Sequence, residues 1–192
     1  MKKIILIGGG GHCKSVIDVI EQQNKYKIVG IVDKPKFKAS KVLGYPIIGT
    51  DSDLKSLAKK YKYALITVGY IKSPSLRIKL FDLTIEAGFN LPIIISPNAY
   101  VSKNSVIGPG TVVMHHAIIN ANSSIGENCI INSKALIEHD CTIYKHCHIS
   151  TNATINGGTI IEQNCFIGSS ATIREMTKIK KKSFIKAATL VK

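Results

Sequence analysis

The chain has 192 residues, 45% of them hydrophobic, enough to bury the core of one ordinary domain or of two small ones. Twenty-six Lys and Arg against 12 Asp and Glu leave a net charge of +14, which suits a ligand bearing phosphates or a carboxylate. With 6% aromatics, no Trp and no stacking or groove-reading motif, nucleic acid is not the expected partner.

Five cysteines, Cys13, Cys129, Cys141, Cys147 and Cys165, form an odd set without a C-x-x-C pair. That spacing disfavours a disulfide framework or a zinc knuckle, and reduced thiols in a cytoplasm are expected. The apolar start Ile4 to Ile7 is too short for a membrane span and runs into a glycine loop without a cleavage pattern, so no membrane span and no export signal are expected.

In chain order, Lys2 to Ile7 reads as a strand, Gly8 to Gly11 as a loop, and Cys13 to Gln22 as a helix with Val16, Val19 and Ile20 on one face. Lys27 to Val32 is a second strand, ending at Asp33. A glycine loop at the mouth of a helix, followed by an acidic residue after the next strand, is a dinucleotide-type phosphate site. The glycines admit close backbone approach, the helix N-terminus offers unpaired N–H groups, and the carboxylate accepts from a sugar hydroxyl. A third strand, Ala64 to Val68, meets Gly69 and then a polar helix entry at Ser73-Pro74-Ser75. This half has room for about four strands, too few for an oxidoreductase with its own substrate domain. Residues 1–92 are therefore expected to form a Rossmann-like α/β sugar- or nucleotide-binding domain.

From Ile95 to Val191 an Ile or Val recurs every six residues, seventeen times without interruption, and four residues after each comes a small one: Ala, Ser, Thr or Cys. Six is not a helical period, and the repeat is too short for a helix pair. Each hexad must be a short strand and a turn of a parallel β-helix, with the aliphatic inside and the small residue at a corner. Residues 93–192 are expected to form this all-β domain. The pattern resembles the hexapeptide-repeat family. That resemblance implies a left-handed prism of triangular coils, about five here, assembled as a homotrimer with active sites between neighbouring prisms.

Leu136-Ile137-Glu138-His139-Asp140, with His148-Ile149-Ser150 nine residues after the first histidine, joins the Gly8-Gly9-Gly10-Gly11-His12-Cys13-Lys14-Ser15 loop in a sharper likeness. Together they resemble the sialic acid O-acetyltransferase (NeuD-type) family and its relatives, the PglD and perosamine-type nucleotide-sugar N-acetyltransferases. The resemblance implies an acetyl-CoA-dependent acyltransferase acting on a sugar or nucleotide sugar in bacterial surface glycan biosynthesis. In that reading His139 is the general base and Asp140 raises its basicity. His148, Ser169 and Ala187 hold acetyl-CoA; Gly10, Gly11, His12, Asp33 and Gly69 receive the sugar; no metal is bound. Ser150 to Ala153 and Ile94 to Pro97 tilt the acceptor slightly towards a sialic acid. Relatives commonly continue into a Gly-x-Pro-Ala loop near the coenzyme, whereas this sequence ends at Leu190-Val191-Lys192, so either the chain is shortened here or its hold on CoA is weaker.

Two histidines beside the motif, His115 and His116, together with His146, read as surface or interface residues. His139 and His148 avoid the inward and corner slots, so both are expected to face solvent or a neighbour. The Lys178, Lys180, Lys181, Lys182, Lys186 and Lys192 run is a solvated face or a phosphate contact. Rival functions are a non-catalytic partner that stabilises a sugar-biosynthesis enzyme and, less well supported by the histidine spacing, a zinc protein like the γ-class carbonic anhydrases.

Overall fold

The computed structural model describes residues 1–34 and 41–192, which divide into two compact units, Met1–Tyr70 with Ser75–Pro92, and Ile71–Pro74 with Ile93–Lys192. In the first unit β1 (Lys2–Ile7) leads through α1 (Gly11–Gln23) to β2 (Tyr26–Val32). Next come β3 (Lys41–Val42), β4 (Tyr45–Gly49), the short α2 (Leu54–Ala58), β5 (Tyr63–Ile66) and α3 (Ser75–Glu86). The sheet order is β3-β4-β2-β1-β5, parallel except for the β3–β4 hairpin. Because β1 is central, Ile4, Ile5 and Leu6 are wholly buried, and the helix α1 covers one side with Cys13, Val16, Ile17, Val19 and Ile20. Ile5, Ile7, Ala64 and Ile66 form a core with Leu80 and Phe81 of α3.

Two sequence expectations shift here. The sheet has five strands rather than about four: β3 and β4 turn at Leu43-Gly44, both at positive φ (48° and 85°), as a two-residue hairpin requires. Leu in the first of those positions hid the turn. The third predicted strand also ends early, at Ile66, because the Thr67 hydroxyl turns back and donates to the carbonyls of Ile7 and Gly8.

The second unit is a left-handed parallel β-helix of two-residue strands, from β6 (Ile94–Ile95) to β22 (Leu190–Val191). The strands stack in three parallel sheets of six, five and six. Face one runs from Tyr100–Val101 to β22, face two from Val106–Ile107 to Lys178–Ile179, and face three from β6 to Phe184–Ile185. Each residue pairs with the one eighteen further on, as Ile119 with Ile137 and Ile137 with Ile155. The inward aliphatics from Val113 to Ile179 make one continuous buried column.

Corners explain the rest of the hexad. The residue three after each aliphatic sits at positive φ from His116 to Ala188, a region that Asn, Asp and Gly tolerate best, and Asn122, Asn128, Asp140, Asn152, Gly158 and Asn164 occupy it. The small corner residue is more than small. Thr111, Ser123, Cys129, Cys141, Cys147, Thr159 and Cys165 each donate their O–H or S–H to the carbonyl fifteen residues ahead, at 2.6–3.3 Å. A half-buried carbonyl of the coil above is thereby given a donor from within the chain.

Lys134 occupies the positive-φ corner (60°) with an exposed side chain. Lys134→Asn relieves that conformation and should raise stability by about 0.5–1 kcal/mol, whereas Lys134→Val should lower it by about 1–2 kcal/mol, as judged by urea-unfolding midpoints.

Candidate functional site

Three edges separate the faces, and the turn number assigns every residue to one. Turn 138–141, between face one and face two, forms edge one with turns 120–123, 156–159 and 174–177 above and below it. There the Nδ1–H of His139 donates to Oδ2 of Asp140 at 2.7 Å. A carboxylate can only accept, so the ring is held as the Nδ1–H tautomer and the Nε2 lone pair is left as a base. The other oxygen of Asp140 accepts from the Asn122 amide at 2.6 Å. These two donors, Asn122 first and then His139, hold the Asp140 carboxyl below the ordinary carboxylate range. One residue before the histidine, Glu138 accepts from Asn120 at 2.9 Å.

Above the histidine the side chains stop. Gly157 lies eighteen residues on, and a Cβ there would sit 2.8 Å from Cε1 of His139 and 3.0 Å from Nε2. Its neighbour Gly158 (φ 68°) leaves the space that the Met176 sulfur approaches. The result is an open depression of about 850 Å³ lined by Glu138, His139, Asp140, Asn156, Gly157, Gly158, Glu175 and Met176. Three carboxylates among those eight residues, in a chain with 12 acidic residues in all, make this a locally acidic pocket on a basic protein.

The other expected site residues are elsewhere on the β-helix. Ser169 and Ala187 stack in one column on edge three, between face three and face one, where Ser169 and Ser150 hydroxyls meet at 3.0 Å and the Ala188 N–H donates to the Ser169 carbonyl at 2.9 Å. His115 shares that edge, hydrogen-bonded to Ser96 at 2.7 Å. His148 projects from face three and, against expectation, is 7% exposed: its ring stands edge-on to Phe166 at 5.1 Å and its Nε2 is 3.3 Å from the Asn132 amide. His146 is likewise buried rather than on the surface, with Nδ1 3.0 Å from the Asn128 amide. Thus His115, His139 and His148 occupy three different columns.

The lysine run divides. Lys180, Lys181 and Lys182 lie on edge two, between face two and face three, and Glu162 binds the Lys181 N–H (2.8 Å) and the Lys178 ammonium (3.1 Å), which hold that carboxyl low. Lys186 alone adjoins Ala187 on edge three, and Lys192 follows β22 at the start of the edge-one turn. All five thiols are buried away from a substrate, including Cys165, whose pKa is lowered by its hydrogen bond with Cys147. Burial pushes Cys13 up to about 11, and the stacked thiols of Cys129 and Cys165, with burial, push Cys147 up further.

In the first unit the glycine loop is built for close approach. Gly8 takes φ 101° with Val68 against it, while Gly10 and Gly11 have open space where a Cβ would stand. No side chain caps α1, whose N-cap is Gly10, so its first N–H groups face that space. Asp33 is placed differently from the sequence reading: Oδ2 accepts from the Gly9 N–H and Oδ1 from the Lys34 N–H, both at 2.7 Å, so the carboxylate ties down the loop as well as facing it. Gly69 lies opposite His12, 3.2 Å from its Cβ to the position of an added Cβ.

Sequence reasoning passed over Asn120, Asn122, Glu138, Gly157, Gly158 and Glu175. The signal was the eighteen-residue offset, which carries 138 to 120, 140 to 122 and 139 to 157. Among the described residues no group of three His, Cys, Asp or Glu side chains is arranged to hold a metal, and no helix is long and apolar enough to cross a membrane.

Residues 3–83 match the PglD N-terminal domain, and residues 101–192 match the GMPPB C-terminal domain. The acetyltransferase domain of PglB from Neisseria gonorrhoeae FA1090 is 30% identical, with a TM-score of 0.92 over 100% of this chain and 92% of that one. The same domain has been solved with acetyl coenzyme A, at a TM-score of 0.90. Perosamine N-acetyltransferase from Caulobacter crescentus, solved as a histidine-to-asparagine variant with CoA and GDP-perosamine, is 28% identical with a TM-score of 0.72, over 99% of this chain and 93% of that one. The UDP-N-acetylbacillosamine N-acetyltransferase of Bacillus subtilis (strain 168) is 30% identical over 114 residues, 59% of this chain and 52% of that enzyme, so the match spans about half of that relative's length.

Gly157→Ala places a methyl inside contact distance of the His139 ring. The imidazole should rotate away and its hydrogen bond to Asp140 should lengthen beyond about 3.2 Å, which a crystal structure of the variant would reveal, with folding unchanged by circular dichroism.

Proposed function

The chain belongs to the PglD/perosamine-type family of sugar acetyltransferases, and from that membership we propose that it moves the acetyl group of acetyl-CoA onto the amine of a nucleotide-linked amino sugar. Of the readings weighed from the sequence, the acidic depression around His139 favours the amine over a sialic acid hydroxyl. Glu138 and Asp140, with Glu175 partly offset by Arg174 at 3.9 Å, attract an ammonium and repel the carboxylate of a nonulosonic acid. The positive charge of the remaining surface suits the diphosphate of the nucleotide-linked acceptor and the phosphates of CoA.

His139 acts as general base. An amine near neutral pH is mostly ammonium, and it attacks the thioester only after losing a proton. That first proton leaves to solvent; Nε2 of His139 accepts a second proton from the nitrogen as the C–N bond forms, Asp140 stabilises the resulting imidazolium, and this second proton passes to the CoA sulfur as the C–S bond breaks. The Nδ1–H bond to Asp140 at 2.7 Å is the observation that carries this reading, since it leaves Nε2 as the base.

We assign Ser169 and Ala187 to the cofactor groove of a homotrimer. They lie on edge three while His139 lies on edge one, so one prism cannot bring them together. A partner can: if face one, with exposed Tyr100, Ile118 and Leu190, turns towards a threefold axis, edge one of each copy meets edge three of the next. His148, packed on Phe166, then acts through packing of face three rather than as an exposed contact. The glycine loop Gly10-Gly11-His12, with Asp33 and Gly69, receives the nucleotide sugar at the bare N-terminus of α1.

Release of CoA with a panel of nucleotide-linked amino sugars and sialic acids tests the acceptor. An amino sugar should be turned over and His139→Ala should lower kcat by about 10²–10⁴-fold; turnover of a sialic acid alone would overturn the amine reading.

Mixed trimers test the shared site. His139→Ala and Ala187→Trp should each be inactive, and random reassembly of the two should restore roughly a quarter of wild-type activity, because a quarter of the interfaces then carry neither substitution. No recovery would place the site within one chain.

A further inference from the structure

We propose that Asn122 is a positioning residue for the reaction: its carboxamide, reaching up from the coil beneath, fixes the Asp140 carboxylate on His139 and so selects the ring nitrogen that faces the acceptor. This rests on the proposed role of His139 as base.

The geometry is a three-residue relay across two coils. Asn122 Nδ2 donates to Asp140 Oδ1 at 2.6 Å, and Asp140 Oδ2 accepts from His139 Nδ1 at 2.7 Å. Asn122 and Asp140 are eighteen residues apart at the same corner position with the same φ of 60°, so the backbone stacks one directly above the other and their short side chains meet without a detour. Asp140 needs the support. Its side chain is 53% exposed and that of His139 65%, so water competes for both oxygens of a carboxylate that is otherwise free to turn about two bonds. Nothing holds it from above, where Gly158 has no side chain. A carboxylate held by one oxygen from below presents the other to the imidazole in a single orientation, and its low pKa follows from the same donor.

Other charges face the ring. Glu138 and Glu175 line the same depression, Glu175 with the Arg174 guanidinium 3.9 Å away, so Glu138 is the neighbouring carboxylate that competes for the ring if Asp140 turns away. The competing tautomer, Nε2–H, would point a proton at the acceptor and leave no base. Asn120, which holds Glu138 at 2.9 Å, keeps that second carboxylate in its own column. The amide pair of the lower coil therefore sorts which acid the histidine uses.

The corner itself favours Asn, so a substitution must preserve positive φ. Asn122→Gly does so while removing the amide, and Asn122→Asp keeps the shape but replaces a donor with a like charge. The ring nitrogens of His139 are read by ¹⁵N NMR in the unliganded protein above the ordinary titration range of histidine, with His139→Ala identifying the signals. Wild type should show Nδ1–H; Asn122→Gly should show a mixture rich in Nε2–H, and Asn122→Asp a larger shift. In the acetyltransferase assay kcat should fall by about tenfold in Asn122→Gly, part of the 10²–10⁴-fold that a general base supplies, with acetyl-CoA affinity and melting temperature unchanged.

An unchanged tautomer in Asn122→Gly overturns the proposal whether or not an acceptor is turned over. So does a shifted tautomer with wild-type kcat. If no acceptor is turned over by any form, acetyl transfer itself fails, while the tautomer still decides what Asn122 does.

Discussion

A polypeptide that returns to the same column every eighteen residues must satisfy every backbone group from the coil above and the coil below. In this β-helix the demand is met by identical register at each strand, as in the pairing of Ile130 with His148 and of His148 with Phe166, and by corner hydroxyls and thiols that reach the carbonyl fifteen residues ahead. The inward Ile and Val column removes water from the axis, while the positive-φ corner turns the chain towards the next face. The polar site is a by-product of that regularity. Any side chain at a corner lies above and below two others, so one substitution per coil builds a vertical stack such as Asn122, Asp140 and Gly158.

Chemistry enters where the stack is broken. The inner corner columns repeat small residues, whereas at His139 the coil beneath supplies hydrogen-bond donors and the coil above supplies glycine. Donors below fix two carboxylates; the glycine above leaves room for an imidazole and for a substrate. A histidine with one nitrogen committed to a fixed carboxylate and the other facing an acidic, open depression is suited to taking a proton from an ammonium-bearing acceptor. The Cys141 thiol on the same turn, buried and pushed up, serves the corner hydrogen bond to the Asn156 carbonyl instead.

The fold was legible because its period is written in every hexad, from Ile95 to Val191, and the glycine loop before α1 is equally local. What was illegible depended on three dimensions. The β3–β4 hairpin escaped because Leu43 stands at a positive φ that its chemistry does not advertise. His148 was placed at a position free to face solvent or a neighbour, but the aromatic ring of Phe166 in the same chain, eighteen residues away, stands against it. Asn122, Gly157 and Glu175 carry no motif of their own and acquire meaning only from the coil offset. Edge assignment, which separates Ser169 and Ala187 from His139, also follows from arithmetic on the repeat, yet its consequence for assembly needed the faces to be drawn.

The chemical identity of the product tests the central claim most directly. Acetyl-CoA labelled with ¹³C at the carbonyl is incubated with the protein and a ¹⁵N-labelled nucleotide-linked amino sugar that bears free hydroxyls as well as its amine. One-bond ¹³C–¹⁵N coupling in the purified sugar, absent with His139→Ala, is the predicted result. A labelled ester carbon without that coupling, or a labelled amide formed equally well by His139→Ala, would contradict the account.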